Sequence, residues 1–498
     1  MKLVYNVSDK PKFSKNLVYA FQQLLAIIAA TVLVPILADA SGVYLSQSAA
    51  MVGAGVGTLV YLAFTKMQSP VFLGSSFAFI SPLATAVTYG YCGIILGSVF
   101  AGLVYVIIAL IIKKVGADWL NKLMPPVIIG PTVALIGLSL SGSALKNLMN
   151  TASDYEHIVL TPAGPAIETV SHYNLLCILI GVITFLITVI ASVKGNKTMK
   201  MIPFVIGVLG GYAIATVVTL LGYTVGGNEY FNIVDFSKFA SIADLSNWVP
   251  NITFVGAIKE LTGSADMKLT GTGVLSLLVA FAPVAMVVFA EHVADHKNIS
   301  SIIEKDLLKD PGLDKTLLGD GVGSVAGALF GGCPNTTYGE SIGCVAITGN
   351  ASVWTILTTA LMCIVCAFFY PFIAFIQSIP SCIVGGISVA LYGFIAVSGL
   401  RMFKHVDLDD SKNLFVVSAI LVPGIGGLTL NFGSVSISNI ACALILGIIV
   451  NAILRPGRPV VTKEVHVEGN VEKEADMFGD TYVEEKNESS DKTSKNDQ

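Results

Sequence analysis

The chain has 498 residues, 54% of them hydrophobic and 12% charged, where a soluble globular domain carries about 25% charged residues. That balance excludes a soluble enzyme and a nucleic-acid-binding module and reads as an all-α polytopic membrane protein. The formal net charge of −4 says little about partners, because it comes from a polar C-terminal tail.

In chain order, a short basic N-terminus (1–16) precedes apolar runs of spanning length at 17–38, 47–65, 91–112, 174–193, 202–222, 273–290, 353–376, 382–400 and 437–454. The first run is long and lacks a small-residue cleavage site, so it reads as a span and not as a signal peptide. Shorter or interrupted runs at 71–88, 125–140, 317–330, 334–347 and 413–428 bring the expected total to 14. With the N-terminus cytoplasmic, 25 of the 29 Lys and Arg residues fall on inside segments, which fits an even count with both ends inside. The other four, Lys146, Lys238, Lys259 and Lys268, sit in two long outside loops. Eight cysteines are scattered through the apolar runs, and Cys363 and Cys366 read as small packing residues, not as a redox or metal pair. From 461 to 498 the chain turns acidic and loses apolar periodicity, so that a disordered, dispensable cytoplasmic tail is expected.

Fourteen spans divide into seven and seven, and an odd number per half inverts the second half relative to the first, the 7+7 inverted repeat of secondary transporters. In such a design the binding site lies where a helix is broken at the same position of each half. The third span reads "SPVFLGSSFAFISPL" (69–83) and the tenth reads "CPNTTYGESIG" (333–343), both interrupted by Gly, Ser, Thr and Pro. Each reads either as a re-entrant turn or as an extended piece whose backbone groups pair across the repeat and face a ligand. The matched position favours the second reading.

The tenth span also carries an acid, Glu340, and an acid inside the membrane is costly enough that its presence points to a substrate or proton site. A second group closes the eighth span, "FAPVAMVVFAEHVADHKN" (281–298), where Glu291 and Asp295 share a helix face and His292 and His296 point elsewhere. On periodicity alone these charges equally mark the membrane interface. Acid and imidazole together also suggest a metal, but no further ligand is evident, so neither metal nor cofactor is expected.

Several stretches resemble the uracil permeases of the nucleobase-ascorbate transporter family, also called nucleobase:cation symporter type 2. They are "ATVLVPIL" (30–37), "GSSFAFI" (74–80), "AEHVADH" (290–296), "KDLLKDPGL" (305–313), "PNTTYGESIGCVAIT" (334–348) and "GGISVALYGFIAVSGLR" (385–401). The resemblance spans most of 17–455. It implies a transporter body at 17–460 in which a core domain, spans 1–4 and 8–11 (about 17–115 and 270–378), moves against a gate domain, spans 5–7 and 12–14 (about 120–225 and 380–455). It implies short antiparallel strands in spans 3 and 10, a homodimer through the gate domains, and a bacterial cell membrane as the location. It also implies that Glu291 and Glu340 bind the base, that backbone groups at Phe77 and Gly339 assist, and that Tyr338 and Tyr392 lie near the site.

Three residues depart from the family pattern. Asp295 stands where uracil carriers usually have His, Ser341 where Asn follows the second acid, and Gln23 where His closes a Gln-His pair.

The expected function is proton-coupled import of uracil by alternating access, elevator-like, with no enzymatic activity. Glu291 and Glu340 would accept from the ring N–H groups, while backbone N–H groups donate to the carbonyls. Burial and mutual repulsion disfavour three charges together, so one of Glu291, Asp295 and Glu340 is expected to carry the proton. A purine or xanthine carrier is the alternative within the family, against which Glu340 stands. An anion transporter or channel of similar fold would want a basic site, and neither broken segment contains Lys or Arg.

Overall fold

Long apolar runs form the helices of this protein, and polar residues end them. The structure is a computed structural model and describes residues 3–39, 41–116, 119, 123–149, 153–161, 164–224, 229–263, 268–402, 406–432 and 435–454. The acidic tail expected from 461 onward lies outside the described residues. The first half comprises helices α1 (Phe13–Ala38), α2 (Gln47–Phe64), α3 (Ile80–Val87), α4 (Gly90–Val115), α5 (Pro126–Met149), α6 (Leu175–Lys194) and α7 (Pro203–Thr224). After a short helix, α8 (Thr253–Leu261), come α9 (Gly271–Ile303), α10 (Leu313–Gly331), α11 (Gly339–Thr348), α12 (Val353–Ala367), α13 (Tyr370–Gln377), α14 (Ser381–Met402), α15 (Ser411–Ile425) and α16 (Asn439–Leu454). Among the described residues, eight of these helices are long and apolar enough to cross a membrane, or nine if α12 and α13, bent by 78° at their junction, count as one span. The chain is therefore a multi-pass membrane protein. Each shorter run singled out in the sequence also holds a helix.

Helix ends follow local chemistry. Ser46 caps α2 by accepting from the Ala49 N–H at 3.2 Å, and Thr270 caps α9 by accepting from the Gly273 N–H at 3.1 Å. The start of α4 is capped from a distance: the Glu260 carboxylate, on α8, accepts from the Tyr91 and Cys92 N–H groups at 2.9 Å each. Helices α2 and α10 cross through glycine, since a Cβ on Gly53 would lie 2.4 Å from the Gly327 carbonyl oxygen. Leu179, Leu186, Ile190 and Val193 of α6 are exposed, as lipid-facing residues are.

Three pairs of strands are present, all antiparallel. The short β1 (Leu73–Ser75) pairs with β4 (Asn335–Thr337) deep in the molecule. The hairpins β2–β3 (Ser153–Thr161, Gly164–His172) and β5–β6 (Leu430–Phe432, Val435–Ile437) lie in segments where the sequence suggests only loops or helix. The other departure is α9. The apolar run at 273–290 is part of one helix of 33 residues, about 50 Å long at 1.5 Å per residue. It continues past Glu291 because its polar residues are partnered: His292 Nδ1 lies 2.7 Å from Asp320 Oδ2 on α10, and His296 Nε2 lies 2.6 Å from the Tyr61 hydroxyl on α2.

Candidate functional site

The pairing of β1 with β4 builds the centre of the molecule. Leu73 faces Thr337, Gly74 faces Thr336 and Ser75 faces Asn335. The ladder extends through the Ser76 N–H to the Pro334 carbonyl (3.0 Å) and the Tyr338 N–H to the Phe72 carbonyl (3.1 Å). Neighbouring helices satisfy what the two short strands leave open. The Thr58 hydroxyl bridges Leu73 N–H and C=O at 2.9 and 3.0 Å, Ser324 donates to the Asn335 carbonyl at 2.7 Å, and the Asn335 amide donates to the Gly53 carbonyl at 3.0 Å. Irregular backbone at this depth is tolerable because it is enclosed by protein.

A helix leaves each strand. After β1 a single 3₁₀ turn, Phe77–Phe79, leads into α3, and after β4 comes α11, with Glu340 in its first turn. A helix N-terminus carries unpaired N–H groups and partial positive charge, which suits it to hydrogen-bond carbonyl oxygens and to hold a carboxylate. Gly339 is exposed although Tyr338 before it is buried, and a Cβ on Gly339 would approach nothing within 4 Å except Asp295 Oδ1 at 4.0 Å. The start of α11 therefore opens onto free space.

Across that space stands α9. Glu291 and Asp295 are half-buried on one face, while His292 and His296 are fully buried on another. The threonine hydroxyl of Thr337 donates to Asp295 Oδ2 at 2.6 Å, tying the helix to β4. Glu291, Asp295 and Glu340 are within electrostatic reach of one another. In the turn after β1 the Phe77 ring meets Tyr392 of α14 edge to face, with centroids 5.9 Å apart and planes at 79°. Glu291, Asp295, Glu340 and Gly339 thus come together from α9 and α11, and the Phe77–Tyr392 contact joins the turn after β1 to α14. The arrangement can hold a polar, neutral ring: acids for its N–H groups and backbone N–H groups for its carbonyls.

Tyr338 has a different position. Its ring lies over Gly74, where a Cβ would be 2.3 Å from the ring, and its hydroxyl donates to the Ser75 carbonyl at 2.8 Å, with Thr31 3.4 Å away. The side chain braces the strands from behind. Two of the family departures meet: the Gln23 amide donates to the Ser341 carbonyl at 3.1 Å and to the Ser341 hydroxyl. Both side chains are buried, and the same hydroxyl lies 3.4 Å from the Phe72 N–H. Sequence reasoning singles out Gln23 and Ser341 as departures but does not pair them, since 318 residues separate them, and it assigns no role to Thr337.

Comparison with known proteins identifies the family and the fold. The profile of the Permease family matches residues 14–432. A uracil permease of Bacillus caldolyticus is 37% identical over 471 residues, 94% of this chain and 98% of that protein. One from Escherichia coli strain K12 is 33% identical over 468 residues, 92% of this chain and 97% of that protein. Among solved structures, the transmembrane domain of a cyanobacterium bicarbonate transporter BicA superposes with a TM-score of 0.52 at 14% identity, covering 90% of this chain and all of that one. Murine Slc26a9, an anion transporter in the inward-facing state, gives 0.56 at 11% identity over 90% of this chain and 69% of that one. At such identities these two structures speak for the fold alone.

Proposed function

The chain belongs to the Permease family, whose profile it matches over residues 14–432, and from that premise we propose that it imports uracil across a bacterial cell membrane together with a proton. The observation that carries this reading is the β1–β4 crossing, which sets Glu340 and the start of α11 opposite the Glu291–Asp295 face of α9. Glu291 and Glu340 accept from the uracil N–H groups, and the backbone at Phe77 and Gly339 donates to its carbonyls. A base lacking those groups leaves buried acceptors unpaired and is rejected. The curated relatives named uracil permease, matched over more than nine-tenths of the chain, support the choice of base.

One carboxyl of Glu291, Asp295 and Glu340 takes up a proton from outside, since a buried trio of acids resists carrying three charges. Base and proton then leave to the cytoplasm along the face of α9 that holds Glu291, Asp295 and the exposed Asn298. The moving parts are a core of spans 1–4 and 8–11 (about 17–115 and 270–378) and a gate of spans 5–7 and 12–14 (about 120–225 and 380–455), in a body of fourteen spans with both termini cytoplasmic, and the gate domains pair in a homodimer. Supporting the 7+7 repeat, packing recurs seven spans on: α2 meets α10, β1 meets β4, α5 meets α14, and the contact of α10 with α4 has its counterpart in α12 with α2.

A second reading rests on Asp295. A carboxylate where the family's uracil carriers usually have His offers one more acceptor, which suits a base with an additional N–H, such as xanthine. Uptake of radiolabelled uracil, xanthine and sulfate by purified protein in proteoliposomes, with and without a proton gradient, separates these readings. Gradient-driven uptake of uracil is expected, and uptake of sulfate alone would overturn the proposal.

A further inference from the structure

The N-terminal segment before α1 reads in the sequence only as a short basic, cytoplasmic end, yet residues 4–9 run alongside residues 349–353 and are hydrogen-bonded to them. The Gly349 carbonyl accepts from the Val4 and Tyr5 N–H groups at 2.7 and 3.3 Å. A parallel bridge joins Tyr5 to Asn350, and the Ala351 and Val353 N–H groups donate to the Tyr5 and Val7 carbonyls at 3.0 Å each. The Ser352 hydroxyl donates to the Asp9 carbonyl at 2.6 Å, and the Lys10 ammonium lies 4.2 Å over the Trp354 ring. Asn350, itself buried, donates to Thr355 at 3.0 Å, and Thr355 and Thr358 hold the Asn16 amide of α1 at 2.8 and 2.7 Å.

Gly349 is the residue that ends α11. It takes the left-handed conformation, φ 71°, and its N–H closes on the Val345 carbonyl at 2.9 Å. Helix α11 has ten residues, about 15 Å at 1.5 Å per residue, and Glu340 is in its first turn. So short a rod is held at three points: the strand pair before it, Gln23 against Ser341 in its first turn, and the N-terminal strap at its far end. A shift of its last turn is transmitted to its first, because a hydrogen-bonded helix of this length moves as one body.

We propose that residues 4–9 are a positioning element of the binding site, setting the height of α11 and with it the reach of Glu340 and the Gly339 N–H towards the base. The inference rests on the reading of that site as a uracil site. Misplacing a binding group weakens the bound complex without removing the group, so the effect falls on KM more than on the turnover of saturated carrier.

The test compares three proteins reconstituted in proteoliposomes at equal density: the full chain, a variant lacking residues 2–9, and Ser352→Ala. A rise in KM for uracil of about tenfold in the truncation and about threefold in Ser352→Ala, with the maximal rate per reconstituted molecule within about twofold, is expected. Melting in detergent is read in parallel, because a strap that merely stabilises the fold would lower the melting temperature and leave KM alone. That pattern, or a KM unchanged in Ser352→Ala, overturns the inference. Failure of the full chain itself to take up uracil would instead count against the function proposed above.

Discussion

The Gln23–Ser341 contact allows a prediction worked from geometry. Gln23 is 3% exposed and Ser341 is fully buried. Nε2 of Gln23 donates to the Ser341 carbonyl at 3.1 Å and to its hydroxyl, which also lies 3.4 Å from the Phe72 N–H. Ser341→Ala removes that hydroxyl and leaves two buried donors with less to bond. An unsatisfied buried donor costs about 1–3 kcal/mol, and because Gln23 keeps the carbonyl the lower end applies, about 1 kcal/mol. Gln23→Leu removes the amide at similar cost. When both are changed, no buried donor on the Gln23 side remains to be satisfied, so the two penalties should not add. The residue beside Ser341 is Glu340, so the cost is read as uracil affinity. Each single variant should weaken binding by about fivefold, and the double variant no more than the worse single, a coupling of about 1 kcal/mol. Titration calorimetry of the four proteins in detergent measures it. If the two factors multiply in the double variant, the contact does not support Glu340 and the reasoning fails.

Other variants probe the site more directly. Glu340→Gln replaces an acceptor by a group that also donates and carries no proton, so uracil binding should weaken by about 10- to 100-fold, and unchanged affinity would remove Glu340 from the site. Thr337→Val deletes the 2.6 Å bond to Asp295 and should weaken binding by about tenfold, whereas Thr337→Ser should retain it in the same titration. Gly74→Ala drives a methyl to within 2.3 Å of the Tyr338 ring, and overpacking of about 1–3 kcal/mol should appear as a lower melting temperature. Asp295→His adds a group that is positive at acid pH one turn from Glu291, which should move the uptake profile between pH 5 and 8 to lower pH. Deleting 461–498 should leave uptake at normal expression unchanged, as a liposome assay will show.

Much of this architecture was legible because the membrane enforces it. An apolar run near twenty residues has few alternatives to a helix, and the Gly, Ser, Thr and Pro of 69–83 and 333–343 stand out against such runs. Glu340 was conspicuous for the same reason. Glu291 was ambiguous, since the charges from 291 to 298 resemble the end of a span. What settles the helix through Ile303 is a set of distant partners, Asp320 for His292 and Tyr61 for His296, that no periodicity reveals. The pairings of Thr337 with Asp295 and of Gln23 with Ser341 are contacts between elements far apart in the chain, and the strap at 4–9 looks in sequence like any polar terminus. The strand pair of Ser153–Thr161 and Gly164–His172 is unreadable as strand because its length and polarity suit a loop equally well.

The central claim is that a proton enters with the base through a site of clustered acids. Proteoliposomes holding a trapped pH-sensitive dye measure this directly, without an imposed gradient, when uracil is added outside. The account predicts that the lumen acidifies on addition of uracil, in proportion to the label accumulated, and that Glu340→Gln abolishes the signal. Accumulation of labelled uracil with no change in lumenal pH, or only in the presence of sodium, would contradict it.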